Sequence, residues 1–586
     1  MQRLVTFAAA LLLAACGGGG GSSNGDTTTP AVAFTDPVTY GSGPSASLSS
    51  AQEITAVTRH QLVLGGTTLN YTATAGHMTA LALGTGTPQA SFFYVAYTVD
   101  GRDPATRPVT FFYNGGPGSA TVWLHLGSFG PKRLVASAPS TAVATPFPLV
   151  DNAESLLDMS DLVFVDAIGA GFSQAIQPNT NRTFWGVDTD AGVFRDFVMR
   201  YATVNNRGAS PKFLFGESYG TTRSAVLANM LEVAGVSLKG VVLQSSVLNY
   251  NANCGLFAPV TIPCTGDIPT YAAVGAWFGR SPSPSPENLA PFIAQARTLA
   301  STQFDPAVRR FQSAATPPDA SLLAQLVTTT GMALPHWQAR FNMDPTYFHD
   351  NFSPGTVLGY YDARVTAPAG SSLAREDDPS STFITPSFQQ AITAYLANDL
   401  RYTTPSSYVL LGNAINSWNF SHDGRGFPDT VPDLAAAMAR NPRLKVFSAN
   451  GYHDLVTPFY TTELDLARFG ANANIVVRNY SGGHMTYLDD TARVQQKADM
   501  VQFYQSALAG TTAPVPSAPA SAPAETPMPT ARTMPPAVME RPLGGLLVPP
   551  HLRNAKPVTP TSGEELRAQV ERKLAEGDEQ RRALGL

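Results

Sequence analysis

Cysteine is scarce in this chain, with three among 586 residues, which excludes a disulfide scaffold. Charge is scarce as well. Charged side chains make up 14% and the net charge is −5, with no basic run or stripe, so no nucleic-acid partner is expected. The sequence also lacks a His-Glu-x-x-His, a paired Cys-x-x-Cys and a Gly-x-x-x-x-Gly-Lys. No metal, nucleotide or other cofactor is therefore implied. Apolar material is plentiful at 44%, enough for a packed core and too much for global disorder. At this length the core belongs to one large domain with insertions or to a few smaller domains.

The two ends differ from the middle. Arg3 precedes an apolar run, Leu4–Ala15, too short for a permanent membrane span but suited to a signal peptide. The run ends in Leu13-Ala14-Ala15-Cys16, which resembles a bacterial lipobox. The expectation is a signal segment over 1–16, cut before Cys16, with lipid attached to the Cys16 sulfur and new amino group. An ordinary signal peptide cut at small residues is the alternative. Lipidation implies the bacterial cell envelope, with the protein held on a membrane by its anchor and facing the periplasm or exterior. Residues 17–50, rich in Gly, Ser and Thr from Gly17 to Thr29, are expected as a flexible tether. At the other end, 511–560 is Pro/Ala-rich and expected as a linker. A short charged helix follows over 561–586, with a Ser562/Glu565 capping box and a Leu566, Val570, Leu574 stripe. It is expected as a solvated tail.

Between these ends lies an alternation of strands and helices. Gln61–Leu64 and Thr68–Thr72 flank Gly65-Gly66, a hairpin signal. Ser91–Thr98, Val109–Tyr113, Leu162–Val165, Phe213–Phe215, Val241–Gln244, Leu444–Ser448 and Ile475–Asn479 are strand candidates. Val187–Val204 and Thr221–Val233 are helix candidates. Such alternation predicts an α/β fold with a mostly parallel, doubly wound sheet. Residues 251–440 interrupt the rhythm with Pro, Ala, aromatics and helical pieces such as Glu287–Leu299. They are expected as a helical cap inserted between core segments 51–250 and 441–510. Cys254 and Cys264 open the insertion; a disulfide and two unpaired thiols are both compatible with their spacing.

Gly216-Glu217-Ser218-Tyr219-Gly220 fits Gly-x-Ser-x-Gly. The pattern alone is weak, because Gly21-Ser22-Ser23-Asn24-Gly25 also fits it, within the tether. Context separates the two. A nucleophile elbow needs a strand before the serine and a helix after it, and only Ser218 follows Lys212-Phe213-Leu214-Phe215 and precedes a helical run. A serine hydroxyl also needs a base. His484 lies in Ser481-Gly482-Gly483-His484-Met485 after one strand candidate, and Asp454 lies in Gly451-Tyr452-His453-Asp454 after another. The order Ser, Asp, His is that of the α/β-hydrolase fold. His453 is the rival base, but it would leave Asp454 misplaced as orienter. Asp489 and Asp490 are expected as surface charges. Asn114-Gly115-Gly116-Pro117-Gly118, after Val109–Tyr113, suits an oxyanion-binding loop.

Together these segments resemble the serine carboxypeptidase family. The resemblance rests on Phe111 to Ser119, Asp161 to Asp166 with Gly169 to Ser173, Gly216 to Gly220, and Gly483-His484-Met485, in family order. It implies an α/β-hydrolase that releases residues from peptide C-termini, with peptides as partners. By position it implies an oxyanion hole from the Gly116 and Tyr219 amides. It further implies a site for the substrate carboxylate from Asn114 and Glu217, and a leaving-residue pocket lined by Met485. Two positions depart from the family: Ser119 replaces a cysteine, and Ser128 replaces a second glutamate before Phe129-Gly130-Pro131. The other readings are an esterase or acyltransferase on the same triad, and a catalytically silent envelope lipoprotein that binds peptides.

Overall fold

The structure, a computed structural model, describes residues 31–257, 259–282, 289–510, 557 and 563–586. The signal segment, Cys16 and nearly all of the 511–560 linker lie outside the described residues.

Ten strands build the central sheet. In chain order they are β1 (Thr55–Leu64), β2 (Thr67–Leu81), β3 (Pro88–Val99), β4 (Val109–Tyr113), β5 (Asp161–Val165), β6 (Gln174–Ala175), β7 (Lys212–Glu217), β8 (Leu238–Gln244), β9 (Lys445–Gly451) and β10 (Ile475–Tyr480). Their spatial order is β10-β9-β8-β7-β4-β5-β3-β2-β1, with β6 paired to β3. From β5 to β10 the neighbours are parallel; β1, β2 and β3 form an antiparallel edge. The β1–β2 hairpin turns at Gly65 and Gly66, both with positive φ, as a two-residue turn requires.

β4, β5, β7, β8 and β9 are almost wholly buried, as expected of parallel strands covered on both faces. Alternate side chains feed two cores. Phe111, Tyr113, Leu214, Val241 and Leu243 face α2 (Val187–Val204) and α3 (Tyr219–Val233). Phe112, Phe213, Phe215 and Val242 face the opposite core, with the 490–509 helix and α1 (Val122–Gly127). The chain reverses direction across the sheet between β4 and β7, the switch point at which open α/β sheets bind ligands.

Three expectations are corrected. Residues 31–50 are not tether. Phe34–Thr35 pairs with Tyr402–Thr403, and buried Asp36 accepts hydrogen bonds from the Tyr40 and Tyr402 hydroxyls at 2.8 and 2.7 Å. Unlike 17–29, this stretch has apolar and aromatic groups to bury. The insertion is also not a cap over its full 251–440 length. Val431–Arg440 packs on α3 as a core-face helix, and Pro379–Asn398 joins the opposite core through Phe388, Ile392 and Tyr395.

The tail helix, Gly563–Leu584, is docked rather than solvated. Leu566 is buried and Val570 packs on the core. Lys573 Nζ lies 2.8 and 2.5 Å from the Asp433 and Asp423 carboxylates, and Arg581 donates to the Val233 carbonyl at the end of α3 at 3.1 Å. The stripe that is marginal alone gains its stability from this face and these ion pairs. None of the described helices is long and apolar enough to cross a membrane.

Candidate active site

β7 delivers Ser218 to the carboxyl edge of the sheet, and α3 begins at the next residue. Ser218 holds φ 59° and ψ −129°, a strained left-handed value for a residue with a side chain. The turn is tight enough to demand glycine beside it. A Cβ at Gly216 would lie 2.2 Å from the Gly220 carbonyl oxygen. Ser218 is 8% exposed, so its hydroxyl sits at the floor of the edge rather than on an open surface.

Asp454 and His484 leave the ends of β9 and β10 on the same edge. His484 Nδ1 lies 2.8 Å from Asp454 Oδ2. The other Asp454 oxygen accepts the Val456 and Thr457 amides at 2.8 and 3.0 Å, and Thr457 Oγ1 donates to Oδ2 at 2.6 Å. The carboxylate is thus oriented by its own turn, and it fixes the imidazole with Nδ1 toward it and Nε2 away. Burial alone would lower the His484 pKa. Asp454, with Glu217 and Asp378 farther off, outweighs burial and holds it above the ordinary imidazole value.

The end of β8 ties this pair to the elbow. The Ser218 amide donates to the Gln244 carbonyl at 2.9 Å, while Gln244 Nε2 and Ser245 Oγ both donate to the His484 carbonyl. From the insertion, the Tyr361 carbonyl accepts the His484 amide at 2.5 Å, and the Tyr361 ring meets the imidazole edge-on at 5.0 Å. The Ser218 hydroxyl is not hydrogen-bonded to His484 here; such contacts are often loose until substrate is bound.

The β4 loop reaches the elbow from the neighbouring strand. A Cβ at Gly115 would lie 2.4 Å from the Tyr219 amide nitrogen, so only glycine permits this approach. Tyr219 opens α3, and its N–H has no carbonyl one turn earlier in the helix to bond. The Gly116 and Tyr219 amides therefore belong to two backbones in contact beside Ser218.

Glu217 and Asn114 are buried under the same loop. Asn114 Nδ2 donates to Glu217 Oε1 at 2.7 Å, and the Tyr487 hydroxyl is 2.6 Å from Oε2. Burial pushes the Glu217 carboxyl up to about 7, against the pull of His484 and these two partners. Ser128 is buried too, but its hydroxyl is tied to the Leu124 carbonyl. Met485 lines a small apolar pocket with Tyr361, Asp362, Ile384 and Leu488.

His453, the rival base, packs edge-on against Trp277 at 5.9 Å, and burial, aided by Arg364, pushes its pKa down to about 3. Its amide and carbonyl pin the loop, bonding Gly482 and Ala363. Asp489 is not a surface charge. It is buried, caps the 490–509 helix and pairs with Arg364 at 2.9 Å. Cys254 and Cys264 are joined in a disulfide, with Cα atoms 5.3 Å apart. Among the described residues, two side-chain groups resemble metal ligand sets. In one the sulfurs are already bonded to each other, and the other, His422, Asp423 and Asp433, holds the Lys573 ammonium.

Sequence reasoning missed Thr457, Gln244, Ser245, Tyr361 and Tyr487. Thr457, three residues after Asp454, has a local signal, since Asp-x-x-Thr can close an Asx-type turn. The others meet their partners across separate strand ends and carry none.

Elbow, switch point and strand-end residues define a serine hydrolase of the α/β-hydrolase fold. Residues 66–258 match the family model described as serine carboxypeptidase. Among solved structures, the chain is similar to a prohormone-processing carboxypeptidase from Saccharomyces cerevisiae. The identity is 15%, coverage is 74% of this chain and 91% of that one, and the TM-score is 0.46. It is also similar to a proline iminopeptidase from Mycobacterium smegmatis (14% identity, 78% and 100% covered, TM-score 0.28). A putative aryl esterase from Burkholderia cenocepacia is similar at 13% identity, with 74% and 100% covered and a TM-score of 0.29. A search of curated proteins returns no match.

Proposed function

We propose that the chain is a carboxypeptidase-like serine hydrolase that releases C-terminal residues from peptides through an acyl-enzyme on Ser218. The observation that carries this reading is the Asp454–His484 hydrogen bond, at 2.8 Å, on the same sheet edge as the Ser218 elbow. His484 Nε2 takes the Ser218 hydroxyl proton as the serine oxygen attacks the scissile carbonyl. The Gly116 and Tyr219 N–H groups receive the developing oxyanion. His484 returns the proton to the leaving amine, and water then releases the acyl group by the same route. Asn114 and Glu217 meet the terminal carboxylate, and the pocket beside Met485 takes the leaving residue.

In this proposal the enzyme works in the cell envelope, held on a membrane through lipidated Cys16, and meets peptides there. The esterase or acyltransferase reading draws support from Ser128, which leaves Glu217 without a second carboxylate. The test compares a peptide, its C-terminal amide and an ester of the same acyl group, with Ser218→Ala as control. Preference for the free peptide supports the carboxypeptidase; turnover of the ester alone supports the second reading.

A further inference from the structure

Tyr487 lies three residues after His484, in the short turn Thr486–Leu488. Its side chain is fully buried, and its hydroxyl meets Glu217 Oε2 at 2.6 Å. Asn114 meets the other oxygen at 2.7 Å. Asn114 is itself fixed, its Oδ1 accepting the Leu124 amide at 3.1 Å and its carbonyl accepting Arg223 Nη1 at 2.8 Å. Glu217 therefore has one partner at each oxygen, and neither partner can turn away cheaply.

The two partners are chemically unequal. The Asn114 Nδ2 group only donates, whereas a tyrosine hydroxyl both donates and accepts. While Glu217 is ionised, Tyr487 must donate to it. Once Oε2 is protonated, the acid hydrogen donates to the Tyr487 oxygen, and the Tyr487 hydrogen is freed to donate elsewhere. The contact survives with its direction reversed, and the site changes from a set of acceptors to one that can donate.

We propose that Tyr487 is a positioning residue that, with Glu217, decides whether this site accepts a peptide ending in a free carboxylate. Resting on the carboxypeptidase reading above, it assigns to Tyr487 the partner position that Ser128 leaves empty. A terminal carboxylate needs donors, so it binds when the Glu217–Tyr487 pair carries the extra proton; an amide terminus has no such need. The charged and titratable groups facing Glu217 are His484 and Asp454 across the elbow, Tyr361 and Tyr487. Arg493 touches Tyr487 at its carbonyl, at 3.4 Å, and pairs with Glu154 and Asp490.

The experiment is kcat and KM against pH for a peptide and its amide, in wild type, Tyr487→Phe and Glu217→Gln. Tyr487→Phe removes one donor from ionised Glu217 and eases its protonation. The high-pH limb for the free peptide should move up by about one pH unit, the worth of one hydrogen bond to a charged group. The change should sit in KM, leaving the amide profile unmoved. An unmoved free-peptide limb in Tyr487→Phe, with a flattened one in Glu217→Gln, overturns the role of Tyr487. No effect of Glu217→Gln overturns the carboxylate reading itself. Fluorophosphonate labelling of Ser218 checks that each variant is folded. If Tyr487→Phe does not fold, 3-fluorotyrosine at position 487, a stronger donor, must move the limb to lower pH; a shift the other way overturns the proposal.

Discussion

Ser218 keeps a backbone conformation that costs about 1–3 kcal/mol, and the contacts of Gly216 and Gly115 hold it there. That strain presents the hydroxyl; in the proposed mechanism Asp454 and His484 supply the base. Ser218→Ala, His484→Ala and Asp454→Ala should each lower kcat by roughly 10³-fold or more, with little further loss in combination, because the three act as a unit. His453→Ala, measured alongside, should be far milder, since its low pKa and its contacts place it in the loop scaffold. Equal losses for His453 and His484 would reverse that assignment. The His484 imidazole works as a base only when neutral, and the Asp454 carboxylate holds its pKa above that of an ordinary imidazole, against burial. Activity should therefore fall as pH drops through a value above the ordinary imidazole range, and Thr457→Val, which removes a donor to Asp454, should shift that limb. An acid limb at or below that of a free imidazole would contradict the Asp454–His484 pairing. The strand-end placement of Ser218, Asp454 and His484 was legible because each follows a strand pattern in chain order. Tyr487 meets Glu217 only once the strand ends converge, whereas the Thr457–Asp454 contact is local to its turn.

Strands were the most legible elements. Val109–Tyr113 matches its expected bounds to the residue; pairing extends Phe213–Phe215 to Lys212–Glu217 and Val241–Gln244 back to Leu238. Short apolar runs between turn signals leave few alternatives. The docking of the 563–584 helix was not legible. Its stripe is amphipathic, but its partners are Asp423, Asp433, Arg440 and the end of α3, which no local pattern names. His422, between Asp188 and Asp433, has its pKa raised to about 10, with burial opposing the two carboxylates that raise it. A raised pKa stabilises the fold fully below the unfolded value, near 6.5, and that share is lost as pH rises through about 10. Wild-type Tm should therefore fall between pH 7 and 10, and His422→Gln should flatten that fall. Lys573→Ala leaves the Asp433 carboxylate buried with one partner fewer. It should cost about 3 kcal/mol in denaturant unfolding and leave kcat/KM unchanged. A loss of activity without loss of stability would mean that the tail helix acts on the site instead of on the fold.

The whole molecule is one large sheet with two cores, wrapped on its flanks by segments that composition marked as tether, cap and tail. Residues 31–50 and 563–586 both return to the body, so either end can be probed without touching the Ser218 edge. Cys16→Ser should release the protein from membranes if its lipid is the anchor; a variant that still pellets with membranes contradicts the lipobox. The chemistry itself is tested most directly by treating the full chain with a fluorophosphonate and locating the adduct by peptide mass spectrometry. A single phosphonyl group should appear on Ser218 in wild type, be absent in Ser218→Ala, and form far more slowly in His484→Ala. No adduct, or one on another serine that survives Ser218→Ala, would contradict a nucleophile at this elbow.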